Sequence, residues 1–235
     1  MDEGRHAARY RVLQVAAELL EEGGSEAVST RAVATAAGIT APALYRMFGD
    51  KDGLLAELAT HGFEMYLAEK HEALSRSEDP VADLHRGWDL HVDFGLRHPA
   101  FYLLMYGTAR PGRKPPAADE AHALLVSLLE RAAADGRLRV PVEEATHVVH
   151  AATTGATLAL IGEEASQRKP STSTRLRNIV LGSITTDPPV VATGTDRASR
   201  ALALDAALTL EDGAAPPLRA TETALLRDWL RRLAE

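Results

Sequence analysis

The stretch that most constrains this chain runs from Ser29 to Lys51, and its spacing predicts two short helices meeting at a tight turn. Ser29 is placed to cap the first helix, because its hydroxyl can accept from an orphan N–H of the first turn. Val33, Ala34 and Ala37 fall on one helical face. Gly38 ends that helix, since glycine enters the left-handed region without a Cβ penalty. Thr40 is the expected cap of the second helix. Pro42 is compatible with it because it falls in the first turn, where its missing N–H has no intrahelical role. Leu44 and Phe48, four apart, point back at the first helix. Two readings satisfy this pattern: an ordinary αα-hairpin in a helical core, or a helix-turn-helix whose second helix enters the DNA major groove.

The residues that follow favour the second reading. Leu44-Tyr45-Arg46-Met47-Phe48-Gly49-Asp50-Lys51-Asp52-Gly53-Leu54-Leu55 resembles the "LYxxFxxKxxLL" run of the TetR family of one-component transcriptional regulators, and the resemblance spans about residues 5–66. It implies a three-helix DNA-binding head followed by a larger helical ligand-binding and dimerisation domain over 67–235. The fold class is therefore expected to be all-α, with about ten or eleven helices.

Charge sets a condition on that reading. The formal net charge is −7, and residues 1–66 alone carry six basic and ten acidic side chains. Distribution matters more than the sum. Gly4–Ala17 holds Arg5, Arg9 and Arg11 without an acid, and Ala27–Gly49 holds Arg31 and Arg46 without an acid. The acids gather between Glu18 and Glu26 and from Asp50 onward. Groove-facing elements are thus locally basic on an acidic body, which implies weak non-specific DNA binding and dependence on a dimer. No apolar run approaches the ~20 residues that span a bilayer, and the first residues lack a signal-peptide core. A cytoplasmic protein without a membrane partner is expected. The absence of cysteine excludes disulfides, thiolate metal sites and cysteine nucleophiles.

Taken in order, helix 1 is expected over about 5–22, with Val12, Leu13, Ala16, Leu19 and Leu20 inward and Gly23-Gly24 as its stop. Helix 4 is expected from a cap at Asp50 to about Ser75, with a boundary at Ser75–Pro80. Helix 5 follows to about Arg97, and His98-Pro99 breaks it. A short aromatic helix spans Ala100–Gly107, then a proline-rich loop to Pro116. Helix 7 is expected over Ala117–Asp135 and ends at Gly136. Helix 8 covers Val142–Ala165, a polar loop Ser166–Ser173, and helix 9 Thr174–Thr186, stopped by Asp187-Pro188-Pro189. A C-terminal extension begins near 190. It holds two further helices, Thr195–Leu210 and Leu218–Ala234, separated by Asp212–Pro217. The second has an apolar stripe of Leu225, Leu226, Trp229, Leu230 and Leu233. No strand is expected.

The chain carries no P-loop, dinucleotide fingerprint, His-Glu-x-x-His or Gly-x-Ser-x-Gly, so no catalytic residue, metal or cofactor is expected. His147 with His150, and His85 with His91, share helices, but each pair lacks a third ligand; they are expected to pack or to line a pocket. The resemblance implies DNA contacts: Tyr45, Lys51 and Thr30 on phosphates, and Thr40, Ala41, Ala43 and Arg46 at base edges, with Arg31 a further cation of this face. Ala41 and Ala43 offer methyl contacts alone, which leaves Arg46 as the hydrogen-bonding base reader. The family encloses its ligand among helices 5–8, so Trp88, His91, Phe94, Phe101, Tyr102, Met105, His150 and Thr154 are the candidate pocket, or equally core. Helix 8 has apolar or small residues on more than one side and needs cover on more than one side. Ala145, Val148, Ala152, Ala156 and Ala159, with Leu176, Ile179 and Val180 of helix 9, are the candidate dimer seam. Together these imply a homodimeric, ligand-responsive regulator, expected to be a repressor that a small-molecule effector releases from a palindromic DNA operator. The alternative is an all-α small-molecule-binding protein or enzyme containing an incidental hairpin.

Overall fold

The computed structural model describes residues 2–73, 77–107, 116–186, 197–208 and 218–234. Among them lie eleven helices: α1 (Asp2–Ala27), α2 (Thr30–Ala36), α3 (Ala41–Phe48), α4 (Lys51–Ala73), α5 (Pro80–Arg97), α6 (Pro99–Tyr106), α7 (Pro116–Ala134), α8 (Val142–Gly162), α9 (Pro170–Ile184), α10 (Arg197–Ala207) and α11 (Ala220–Ala234). The all-α expectation holds. The one departure is an isolated antiparallel bridge between Leu138 and Thr185, which ties the α7–α8 link to the end of α9. The expected helix end at Ser75, and with it Ser75 and Arg76 of the expected boundary Ser75–Pro80, lie outside the described residues. So do the loop 108–115, the Asp187-Pro188-Pro189 stop, Thr195 and Leu210 at the ends of the expected tenth helix, and the Asp212–Pro217 separator.

Several ends move for identifiable reasons. The turn that breaks α1 sits at Gly24 alone, at φ 65° and ψ −167°, with a last helical turn beyond it. Helix α9 begins at Pro170, not Thr174, because a proline in the first turn has no N–H to lose. Helix α8 closes at Gly162, three residues short of the expected end. Asp79 caps α5 by accepting from Val81 N at 2.9 Å and Ala82 N at 3.3 Å.

Three apolar clusters build the interior. The first is the head: Val12, Ala16 and Leu20 of α1, Val33 and Ala34 of α2, Leu44 and Phe48 of α3, Leu54, Leu55 and Leu58 of α4, and Phe101 of α6. The second joins α5, α7, α8 and α9 through Leu84, Trp88, Leu129, Val149, Leu181 and Ile184. The third holds Phe63, Tyr66 and Leu67 of α4 against Phe94 and Tyr102. Helix α6 therefore belongs to both halves, since Phe101 completes the head while Tyr102 faces the body. Gly62 permits this: a Cβ there would come within 2.9 Å of Met105 Sδ and 3.0 Å of Phe101 Cδ1. The C-terminal pair is anchored, with Ala201, Leu202 and Leu230 buried and Arg227 Nε 2.8 Å from Asp205 Oδ1. The expected α11 stripe is corrected: Leu230 is its buried residue, while Trp229, Leu225 and Leu233 stay 52%, 49% and 42% exposed.

Candidate functional site

The helix-turn-helix forms as its residues dictate. Ser29 Oγ accepts from Ala32 N at 3.1 Å. Gly38 takes φ +64°, and the Ile39 N–H turns back to Ala34 O at 3.0 Å, closing the helix end. Thr40 occupies the cap position of α3, but its side chain makes no capping bond and lies exposed. Its hydroxyl is left to the surface, so the capping expectation is corrected. Helix α3 is divided cleanly. Leu44 and Phe48 are buried; Ala41, Tyr45 and Arg46 are exposed, and Ala43 is half-buried beside them. Thr30, in the first turn of α2, brings its hydroxyl 3.5 Å from the Tyr45 hydroxyl, so these two predicted phosphate contacts stand together. Arg31 is exposed nearby. Asp50 caps α4 through Gly53 N at 2.8 Å, which sets Lys51 in the first turn of α4, half-buried at the edge of the same surface.

One of the basic residues expected near the groove has another role. Arg9 stacks 4.5 Å from the Phe48 ring centroid, pairs with Glu57 at 2.8 Å and donates to the Met47 carbonyl. It locks α1 onto the α3–α4 corner and does not offer its charge to a groove.

In the body, the candidate pocket residues separate. His91, 6% exposed, is the hub of a polar cluster: Nδ1 lies 2.8 Å from the Tyr66 hydroxyl and Nε2 2.6 Å from the Tyr102 hydroxyl. The rings of Tyr66, Tyr102 and Tyr106 sit 5.4, 5.4 and 5.6 Å from its centroid. Phe94 packs on Tyr66 at 5.2 Å, and His150 reaches Tyr106 at 5.9 Å. Burial, with Lys70 and His150 nearby, drives the His91 pKa well below the usual histidine value. Burial raises all three tyrosines, Tyr102 to about 12. The Thr154 and Thr157 hydroxyls approach Tyr102 and partly offset its rise, although Thr154 Oγ1 reaches no partner at hydrogen-bonding geometry. The imidazole and the three tyrosines are thus neutral.

Two candidates leave this group. Trp88 donates from Nε1 to Ser173 Oγ at 3.0 Å inside the α5–α9 core, so it is a core tryptophan. Phe101 is sealed into the head, and the half-buried Met105 packs beside it and against the cluster. Sequence reasoning missed Tyr66, Tyr106 and Lys70. Lys70 carried a legible signal: it continues the Phe63, Tyr66, Leu67 face of α4, where a lysine has no place in a purely apolar register.

The candidate seam is also redistributed. Ala145 is 0% exposed and Val180 9%, both within the core of a single chain. They are core residues because α8 and α9 turn those positions toward α5 and α7. Ala152, Ala156 and Leu176 are half-buried against that core. The outward positions are Val148, Ala151, Gly155 and Ala159 of α8 and Ile179 of α9, the last 61% exposed.

Comparison with known proteins agrees with this anatomy. Residues 12–58 match the model for bacterial regulatory proteins of the tetR family. No curated protein matches the chain. Among solved structures, a Rhodococcus sp. RHA1 protein with unknown function superposes at TM-score 0.64 and 25% identity, over 76% of this chain and 96% of that one. The TetR family transcriptional regulator PfmR from Thermus thermophilus does so at TM-score 0.56 and 24% identity, over 73% and 97%. The ketosteroid transcriptional regulator KstR2 of Mycobacterium tuberculosis does so at TM-score 0.55 and 20% identity, over 76% and 95%. These chains are covered almost whole, while about a quarter of the present chain lies beyond them. With α3 presenting one face outward and a helical body behind it, the chain carries at residues 12–58 a head that matches the tetR family of bacterial regulatory proteins.

Proposed function

We propose that this protein is a ligand-responsive repressor that binds a palindromic operator as a homodimer and is released by a small molecule held in its body. The DNA-binding part is 5–66 and the regulatory part 67–235, with α6 shared between them. The observation that carries the reading is the division of α3: Leu44 and Phe48 hold the helix to the head, which frees Ala41, Tyr45 and Arg46 to meet a groove. Thr30, Arg31, Tyr45 and Lys51 hold phosphates; Thr40, Ala41, Ala43 and Arg46 face base edges. One such helix reads about four base pairs, so selection of a site needs two heads spaced by one DNA turn, ~34–36 Å. The outward face of α8 and α9, from Val148 through Gly155 and Ala159 to Ile179, is the proposed seam. Its small residues allow close helix approach in a four-helix bundle. The effector sits around His91, Tyr102, Phe94 and Thr154, and acts by shifting the population of head spacings.

The test is selection of binding sites from a randomised duplex pool, with light scattering on the same sample. The expected result is an inverted repeat with half-sites one turn apart and a mass about twice the 25.2 kDa chain. Enrichment of a single asymmetric half-site by a monomer refutes the dimeric reading. No enrichment at all refutes DNA recognition.

A further inference from the structure

The His91 ring cannot accept from both tyrosines that touch it. A neutral imidazole offers one N–H and one lone pair. One of Tyr66 and Tyr102 therefore donates to the ring; the other accepts from it and keeps its own O–H to give. Whichever tautomer forms, one tyrosine proton is not used by the ring, and beside Tyr102 the neighbouring groups are the Thr157 and Thr154 hydroxyls. Lys70 is a further donor. It is 8% exposed, and its Nζ lies 4.8 Å from the Tyr66 ring centroid. Among the described residues it meets neither a carboxylate nor a hydrogen-bond acceptor. Thr154 Oγ1, on α8, is buried without a partner among the described residues.

A buried ammonium whose company is an aromatic face is costly. If stability alone were at stake, an apolar side chain would serve this α4 position better. Among the described residues, the groups weighing on the cluster's charge are Lys70, His91, His150 and the tyrosines, with no acid, so what its donors match is negative charge. The side chains packed around it are apolar: Phe63, Leu67, Phe94 and the half-buried Met105. We propose that this cluster is the seat of an organic carboxylate, its charge held by Lys70 and a tyrosine hydroxyl and its apolar body against Phe63, Phe94 and Met105. The proposal deepens, and for its regulatory meaning rests on, the ligand-responsive reading above. Lys70 and Tyr66 stand on the same helix whose Leu54, Leu55 and Leu58 lie in the head core, so an anion seated here bears directly on the element that carries the head.

The test uses the full-length protein and four named probes: hexanoate, octanoate, decanoate and 4-phenylbutyrate, each beside its primary amide. Titration calorimetry is expected to show at least one carboxylate binding tenfold or more tightly than its amide. Lys70→Met is expected to reduce that preference to less than twofold. In buffers of different ionisation enthalpy at pH 7, the parent should take up about half a proton per site, because the free Lys70 amine, pushed down to about 7 by burial, is half protonated there. This second readout needs no variant, so a poorly folding Lys70→Met does not spare the proposal. Amides that bind as well as acids, a preference unchanged in Lys70→Met, binding without proton uptake, or four carboxylates that all fail to bind below 1 mM each overturn it. Operator release, measured alongside, separates the two readings. A carboxylate that binds through Lys70 without releasing DNA supports the site and refutes its regulatory use. Release by the neutral amides alone supports ligand response and refutes this site.

Discussion

Replacing Lys70 by Met is expected to make the ligand-free protein more stable at neutral pH, and the advantage is expected to shrink as the pH rises. The side chain is 8% exposed, and burial brings its pKa from 10.5 to about 7. The sign follows from proton linkage. Below pH 7 the amine is charged in both folded and unfolded chains, and the folded state bears the full cost of burying it. Between pH 7 and the unfolded value the folded chain holds the neutral amine while the unfolded chain stays protonated, so the parent gains stability with pH. Above that value the cost is gone. At about 1.4 kcal/mol per pKa unit, the cost is about 4 kcal/mol at pH 7 and falls by about 2 kcal/mol by pH 9. Methionine keeps the apolar stem and gives up the cation–π contact with Tyr66, about 0.5–2 kcal/mol. The net gain at pH 7 is then about 2–3.5 kcal/mol, falling to about 0–1.5 kcal/mol near pH 9.

Urea unfolding of parent and variant at pH 6, 7, 8 and 9, at one fixed protein concentration, measures this difference. The groups facing Lys70 do not blur the window. Tyr66 and Tyr106 are held protonated by burial and His91 is held neutral by it. A His150→Gln background removes the imidazole that faces the cluster across Tyr106. A parent more stable than the variant at every pH, or a difference that does not move between pH 7 and 9, would show that the Lys70 charge is compensated within the protein, and the reasoning fails.

Other consequences concern the two surfaces and the shared helix. Tyr45→Phe and Lys51→Ala should weaken binding to all duplexes alike, whereas Arg46→Ala should change preference at one base pair by ~1–3 kcal/mol; mobility-shift titrations on selected and scrambled DNA check this, and equal loss on both moves Arg46 to the phosphate class. Ala159→Glu or Ile179→Glu should yield a folded monomer by light scattering with unchanged helical circular dichroism, whereas Ala145→Glu should unfold the chain because that position is fully buried; a dimeric Ile179→Glu protein that still binds its operator refutes the seam. Phe101→Ala, removing a ring that is 1% exposed, should cost about 3–5 kcal/mol in urea melts. A loss below about 1 kcal/mol would mean that α6 does not hold the head.

The head was legible residue by residue because its signals are local. Ser29, Gly38, Pro42 and Asp50 act on backbone groups within a few positions, and Leu44 with Phe48 needs just the helical period. The body was legible as helices but not as a site. Trp88 and His91 are three apart on α5, yet one donates to Ser173 across the α9 packing and the other joins tyrosines of α4 and α6. Periodicity places residues on a face; it does not say which of two adjacent clusters that face meets. The candidate seam positions were divided between core and surface for the same reason. Helix α8 has small residues nearly all round, so Ala145, Ala152 and Ala156 scored as well as Val148, Gly155 and Ala159, and the rotation of α8 was set by α5 and α7. Thr40 shows the limit of a cap rule: the residue type and dihedral fit, but the hydroxyl bonds nothing in the helix.

Helix α6 packs into two of these clusters at once. It is eight residues long, so no bend within it can absorb a displacement. Phe101 and Tyr102 are adjacent, and in a helix adjacent side chains diverge by about 100°; one is therefore committed to the head core and the other to His91. Tyr106, one turn beyond Tyr102, meets it at 4.7 Å and extends the same wall. Packed interiors resist compression, so a shift of the tyrosines by a fraction of an ångström passes to Phe101 with little loss. Helix α4 offers a second route, since Tyr66 and Lys70 lie on the helix that Leu54 and Leu58 fix to the head. A ligand touching His91 and its tyrosines would therefore meet α4 and α6 at once, and at Gly62 those two helices are in close contact. Under the proposed function, head orientation and occupancy of the cluster would be coupled through α4 and α6, and the sign of regulation would follow from which head spacing the occupied cluster favours.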